Sequence, residues 1–139
     1  TPKEIESVFQ RIAKESRPMV KNRDACIVAL GLGMAQGKAI VNINVEDIDF
    51  VTKTIKGIEK GRKTREVNFA ENLKNLLLIW LKDREIYFGG EKTGPLFISQ
   101  KRNRMSVGSV SELVKKYTDH LPKHITPHKL RSSAAMNLH

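Results

Sequence analysis

The sequence predicts a mixed α+β fold, mostly helical, with one small antiparallel β-sheet. Three observations carry this. Apolar residues recur at helical spacing along most of the chain. One stretch, "KTIKGI" followed by "TREVNF", switches instead to short runs with β-branched residues around a basic, glycine-bearing turn. Glycine and proline punctuate these segments, and no repeat or low-complexity tract interrupts them. At 139 residues there is room for one domain with a modest core.

Thr1-Pro2-Lys3-Glu4 reads as a helix start, with Thr as cap, Pro at the first helical position and Glu at the capping-box position. Ile5, Val8, Phe9 and Ile12 then repeat on one face, and Pro18 is expected to end the helix. A second helix is predicted from Asn22 or Asp24 to about Leu32; it is apolar nearly all round and so central. Gly31, Gly33 and Gly37 break the pattern before a shorter helix over 37–43. "EDID" at 46–49 leads into the hairpin, with strands at 53–58 and 64–69 and a turn at 59–63. Residues 70–80 form an amphipathic helix with Leu73, Leu76, Leu77 and Trp80 inward. Gly89, Gly90, Gly94 and Pro95 mark a loop, "LFIS" at 96–99 a short strand, and "QKRNR" a basic turn. Ser106 or Ser109 caps a helix striped by Val110, Leu113, Val114 and Tyr117, and Thr126-Pro127 opens a last helix.

Lys and Arg total 25 against 15 Asp and Glu, a net charge of +10. The excess is spread over 53–65, 101–104, 115–116 and 123–131, so it belongs to folded segments rather than to a tail. A polyanionic partner follows, and nucleic acid comes first. The single cysteine, Cys26, lies in an apolar run; it has no partner for an internal disulfide and no metal-ligand spacing around it. It reads as a buried free thiol, which fits a reducing, intracellular setting. No apolar stretch is long enough to span a membrane.

Two clusters could carry chemistry. His128 and Arg131, beside Lys129, sit three apart at a helix start, where side chains at that spacing share a face and backbone N–H groups point outward. Arg grips phosphate oxygens with a fixed fork, and His donates or moves a proton near neutral pH. Lys60, Gly61, Arg62 and Lys63, with Arg65, place cations at a hairpin tip that can reach a phosphate.

Taken in order, "VEDIDF", "KTI", "EKGRKTREVNF", "LFIS", "SVSELVKKY" and "ITPHKLR" resemble the catalytic domain of the tyrosine recombinases, the phage-integrase family. The resemblance runs from "TPKEIE" to the end, and "PHKLR" and the K-G-x-K-x-R hairpin are its most specific pieces. It implies site-specific DNA recombination or integration. A tyrosine attacks a phosphodiester to form a 3′-phosphotyrosyl link, two arginines and a histidine clamp the phosphate, and a lysine protonates the departing 5′-oxygen. By position His128 and Arg131 match the family's H-x-x-R and Lys60 its lysine. No metal or other cofactor is implied. The implied partners are double-stranded DNA, through Arg62, Lys63, Arg65, Arg102, Arg104 and Lys129, and further recombinase protomers, in a cytoplasmic, nucleoid-associated setting.

The chain departs from the pattern where the family's first arginine belongs. Matching Gly33, Met34 and Gly37 puts Ala35 in its place, with Lys38 where a glutamate stands; counting back from "EDID" puts Gln36 there. Ser132 follows the H-x-x-R where many members carry a second His. Tyr87 and Tyr117 do not stand where the nucleophile should and read as structural. Residues 1–139 are thus expected to be part of a catalytic domain, without the amino-terminal DNA-binding domain or the segment bearing the nucleophile. The rival readings are a degenerate, non-catalytic DNA-binding relative and a basic RNA-binding module. Aromatics at 6%, mostly at core-like positions, give the latter little stacking surface.

Overall fold

The computed structural model describes residues 2–33, 37–60, 63–89 and 93–121, with the backbone alone for Pro2, Gly33, Glu59, Lys60, Lys63 and Thr64. Helix α1 (Pro2–Ala13) buries Val8 and Ile12, as its apolar spacing predicts. It ends earlier than Pro18. Lys14 and Glu15 donate back to the carbonyls of Arg11 and Ile12, and Pro18 then opens helix α2 (Pro18–Gly33) instead of closing α1. A proline at the first helical position gives up no hydrogen bond and already has the helical φ. α2 therefore starts a full turn before Asn22. Residues 23–30 along it are all buried, so it is the central helix its composition predicts. Cys26 lies within it, fully buried, its thiol donating to the Leu76 carbonyl at 3.1 Å. Burial pushes that thiol well above its ordinary pKa.

Helix α3 (Gly37–Val41) is two residues shorter than expected, and a 3-10 turn over Val45–Asp47 follows it. Strand β1 (Ile48–Asp49) is the "ID" of "EDID"; Asp49 accepts from the N–H groups of Val51 and Thr52 and so turns the chain into strand β2 (Thr54–Lys60). Strand β3 (Lys63–Asn68) closes the predicted hairpin. The sheet is three-stranded and antiparallel in the order β1-β2-β3. Thr54 pairs with Asn68 and Ile55 with Val67, but Ile58 pairs with Arg65: one extra residue is accommodated in β2. Gly57, at φ 77, takes the strained position there.

Helix α4 (Glu71–Phe88) packs on α2 through Leu73, Leu77 and Trp80 and runs eight residues past its expected end at 80. The continuation looks polar in sequence, yet Arg84 is buried. Its stem lies along the core, and its guanidinium donates to the carbonyls of Pro95 at 3.1 Å and Thr93 at 3.3 Å. Gly89, at φ 97, ends the helix.

The expected strand "LFIS" does not form. Leu96, Phe97 and Ile98 are buried, but the segment makes only isolated bridges, Pro95 to Asn44 and Ile98 to Arg104. The reason lies in its carbonyls. Pro95 is bound by Arg84, Leu96 by the Trp80 indole at 2.8 Å, and Ile98 by Arg23 at 3.3 Å. Side chains from α2 and α4 take acceptors that a strand partner would use. Helix α5 (Val107–Thr118) follows, capped by Ser106, whose hydroxyl accepts from the Ser109 N–H at 3.1 Å. It buries Val110, Leu113 and Tyr117, the predicted stripe, while Val114 is half-buried. Among the described residues no helix is long and apolar enough to cross a membrane. The expected last helix from Thr126 and the cap at Thr1 lie outside the described residues.

Candidate nucleic-acid interface

The hairpin delivers its cations through backbone pairing. Lys60, the last residue of β2, pairs with Lys63, the first of β3, and Arg65 sits two residues on, exposed to solvent. Three basic positions are thus gathered at the open end of the sheet. Arg62 lies between the strands, outside the described residues, as do Ala35, Gln36, His128, Lys129 and Arg131. The proposed phosphate clamp is therefore described only at its hairpin corner.

A second basic corner is the loop after Phe97. Arg102 donates its N–H to the Ser99 carbonyl, Ser99 donates to the Asn103 carbonyl at 2.7 Å, and Met105 donates to the Phe97 carbonyl. This tight turn holds Arg102 in the left-handed region, at φ 67, and leaves Gln100, Lys101 and Arg102 exposed at its tip. Arg104 is different. Its guanidinium donates to the carbonyls of Val41 at 2.8 Å and Ile43 at 3.3 Å and to the side-chain oxygen of Asn44. It satisfies the Val41 carbonyl at the end of α3, adds a second donor to Ile43, which also accepts from the Leu96 N–H, and fastens the loop to that end.

Between the start of α2, this loop and the first turns of α5 lies an open cleft of about 620 Å³. Arg17, Lys101, Arg104 and Lys116 contribute positive charge to its walls, Ser106 and Ser109 hydroxyls, and Asp24 and Glu112 carboxylates. Arg17 is itself paired with Glu15 at 2.9 Å, and its hydrogen bonds pull the Glu15 carboxyl down to about 2. The cleft is thus a cationic surface partly neutralised from within, suited to weak, salt-sensitive attraction of phosphates. Of these cations, Lys101, Arg104 and Lys116 lie in the basic stretches 101–104 and 115–116 and Arg17 in neither; the packing of α2 and α5 that brings them together is announced by no local pattern.

At the cleft floor Asp24 is buried with two partners. The Tyr117 hydroxyl donates to one of its oxygens at 2.6 Å, and Arg23 reaches the other at 3.1 Å. Arg23 also donates to the Ile98 carbonyl. Burial pushes the Asp24 carboxyl above the ordinary carboxylate range, opposed by the hydroxyl and by Arg23. Tyr117 is raised too, by burial and then by Asp24. Tyr117 is thus a buried, structural tyrosine, as the sequence suggests, whereas Tyr87 is half-exposed on α4.

Helices around a three-stranded sheet whose hairpin ends in lysines define a class, and sequence comparison gives it a family. The phage integrase family model matches residues 1–139, so the chain belongs to that family. Tyrosine recombinases XerS from several Streptococcus pyogenes serotypes are 34% identical to it over 143 aligned positions. That alignment covers 99% of this chain and 40% of those proteins, so the chain spans less than half the length of these relatives. Among solved structures, the XerA recombinase has the same fold, with a TM-score of 0.78 at 20% identity, covering 99% of this chain and 47% of that one. The integrase of the Tn1549 transposon, solved in complex with a circular intermediate DNA, follows at a TM-score of 0.66 and 24% identity, covering 96% and 50%.

Proposed function

We propose that this chain is the core of a tyrosine-type site-specific recombinase, which cleaves and rejoins duplex DNA through a 3′-phosphotyrosyl intermediate. The observation that carries the reading is the fit of all 139 residues to the phage integrase family; the position of Lys60 as the last residue of β2 supports giving it the family's lysine role. In this reading His128 and Arg131 hold the scissile phosphate, Lys60 gives a proton to the leaving 5′-oxygen, and a tyrosine on a longer chain is the nucleophile. A pentacoordinate phosphate gathers charge on its equatorial oxygens, so fixed donors bind it better than the ground state. Lys101 and Arg102, exposed on their loop, join Arg62, Lys63, Arg65 and Lys129 as phosphate contacts. DNA duplex and further protomers are the partners, and the working place is the nucleoid.

A second reading, a DNA-binding relative that has lost its chemistry, is favoured by one observation: neither Ala35 nor Gln36 is an arginine. One experiment separates the two. The full-length protein is given a nicked suicide duplex bearing its site, and covalent adduct is followed in a single turnover, for wild type, Ala35→Arg and Ala35→Arg with Lys38→Glu. Removing one donor from such a clamp costs roughly 3–4 kcal/mol. The variants are therefore expected to cleave about two to three decades faster, at ~1.4 kcal/mol per decade. An active wild type that neither variant accelerates shows that 33–37 is not the arginine turn. No adduct from any of the three hands the case to the second reading.

A further inference from the structure

Arg23, Asp24 and Tyr117 form a buried polar network that the chemistry above does not use; each is at most 8% exposed. Its position along the chain is telling. Arg23 and Asp24 lie on α2, which runs from them without a break to Gly33, two residues before Ala35. Tyr117 is the penultimate residue of α5, and the chain continues from there toward His128 and Arg131. The Ile98 carbonyl, bound by Arg23, begins the loop that exposes Lys101 and Arg102. Three segments, one leading to the place of the missing arginine and two leading to or carrying proposed DNA contacts, therefore meet, through hydrogen bonds, around one carboxylate.

Apolar packing does not account for this trio. A buried ion pair loses its hydration, and well-packed apolar side chains of similar volume commonly match or exceed its stability. What apolar contacts lack is direction: they hold a helix on its neighbour but do not set where along the axis it sits. A hydroxyl donating to a carboxylate at 2.6 Å, with a guanidinium on the other oxygen, does set it. A slide of α5 by a fraction of a turn would break the Tyr117 bond and leave a buried carboxylate one donor short.

We propose that Arg23, Asp24 and Tyr117 are positioning residues that lock the register of α5 on α2 and of the 98–105 loop on both. Granted the phosphate-clamp reading, they thereby align the segment leading to His128 and Arg131 with the helix leading to Ala35. The network works by alignment, so its loss uncouples stability from activity.

The test uses three variants: Tyr117→Phe, Asp24→Asn, and an apolar triple of Arg23→Met, Asp24→Leu and Tyr117→Phe. Register is read directly as the distance distribution between spin labels at Lys21→Cys on α2 and Lys115→Cys on α5, Cys26 being buried. In the triple, the thermal midpoint is expected to stay at or above that of wild type while the label distance shifts or broadens. In the full-length protein, single-turnover cleavage should fall on the order of 10–100-fold, the scale of an ångström of misplacement at a reacting centre. DNA affinity should change by less than about threefold, because the phosphate contacts themselves remain. Should the triple fail to fold, Tyr117→Phe, which removes a single oxygen, carries the same two readouts. An unchanged label distance in a folded variant overturns the proposal, and so does a wild-type cleavage rate in a variant whose distance has shifted. If wild-type protein itself never cleaves, the clamp reading falls, and the label distance still decides whether the network sets register.

Discussion

In the hairpin of β2 and β3 the backbone bonds to itself. Thr54 answers Asn68 at one end and Lys60 answers Lys63 at the other. The 93–105 segment is built the other way. Its carbonyls at Thr93, Pro95, Leu96 and Ile98 are taken by Arg84, Trp80 and Arg23, and its far end is fastened by Arg104 to the end of α3. Both regions are rich in arginine and lysine, yet Lys56 and Arg65 in the first are exposed while Arg104 in the second, with Arg23 and Arg84 from the helices, holds the chain in place. A net charge of +10 therefore overstates the charge offered to a ligand. What counts is which guanidiniums the fold has already engaged.

The sharpest way to break this comparison is at Trp80, which is fully buried, stacks near Phe97 with ring centroids 6.4 Å apart, and bonds the Leu96 carbonyl. Trp80→Ala should cost about 3–5 kcal/mol, by analogy with other buried aromatic deletions. Chemical denaturation measures it, and hydrogen exchange should show 93–105 losing protection well before 54–68. Equal loss in both regions would mean that the segment does not depend on side-chain donors.

A smaller effect is expected at Arg104, where sequence and structure point in different directions. Arg104→Met keeps the stem and removes the donors to Val41 and Ile43; Ile43 keeps the Leu96 N–H, so the Val41 carbonyl bears the loss, at a cost of about 1–3 kcal/mol. If stability holds while the salt dependence of DNA binding weakens, Arg104 belongs to the interface, as the sequence reading had it.

The smallest change in stability is expected at Arg65. Arg65→Ala, on an exposed strand position, should leave stability within about 0.5 kcal/mol. It should reduce the slope of log affinity against log salt by about one if the residue touches a phosphate. Titrations of duplex DNA at several salt concentrations read this directly, and an unchanged slope removes Arg65 from the interface.

These contrasts also explain what was legible beforehand. The hairpin could be read because strand patterns are local: β-branched runs, a glycine and basic residues in one short stretch. The interiors of α1, α2 and α5 could be read for the same reason, from apolar spacing. The failures share a different cause. α4 was cut short because Arg84 looks like a surface residue until its carbonyl partners, nine and eleven positions on, are known. "LFIS" was taken for a strand because its residues suit one, and only α2 and α4, distant in sequence, take its acceptors away. Pro18 was read as a stop when it is a start, a choice that turns on whether Pro occupies the first turn. At the interface the hairpin corner was legible, while the cleft and the network around Asp24 arise from helices that meet only in the fold. "RD" ahead of an apolar run was the one available signal for that network, and on its own it suggests nothing more than a helix start.

The extra residue in β2 has a consequence for how this hairpin tolerates change. A strand keeps count by parity: odd positions show one face, even positions the other. Ile55 and Ile58 differ by an odd number, yet both are buried, because the irregularity between them resets the count. Every position from Ile58 to Lys60 is thus written in a different parity from Thr54 and Ile55. Loss of one residue at Gly57 would remove the irregularity and leave Ile55 and Ile58 two apart, on one face by ordinary alternation. Loss of a second residue there would turn Ile58 to the other face, whereas gain or loss of residues at 61–62 leaves the parity alone, so length should vary more freely at the tip than in the middle.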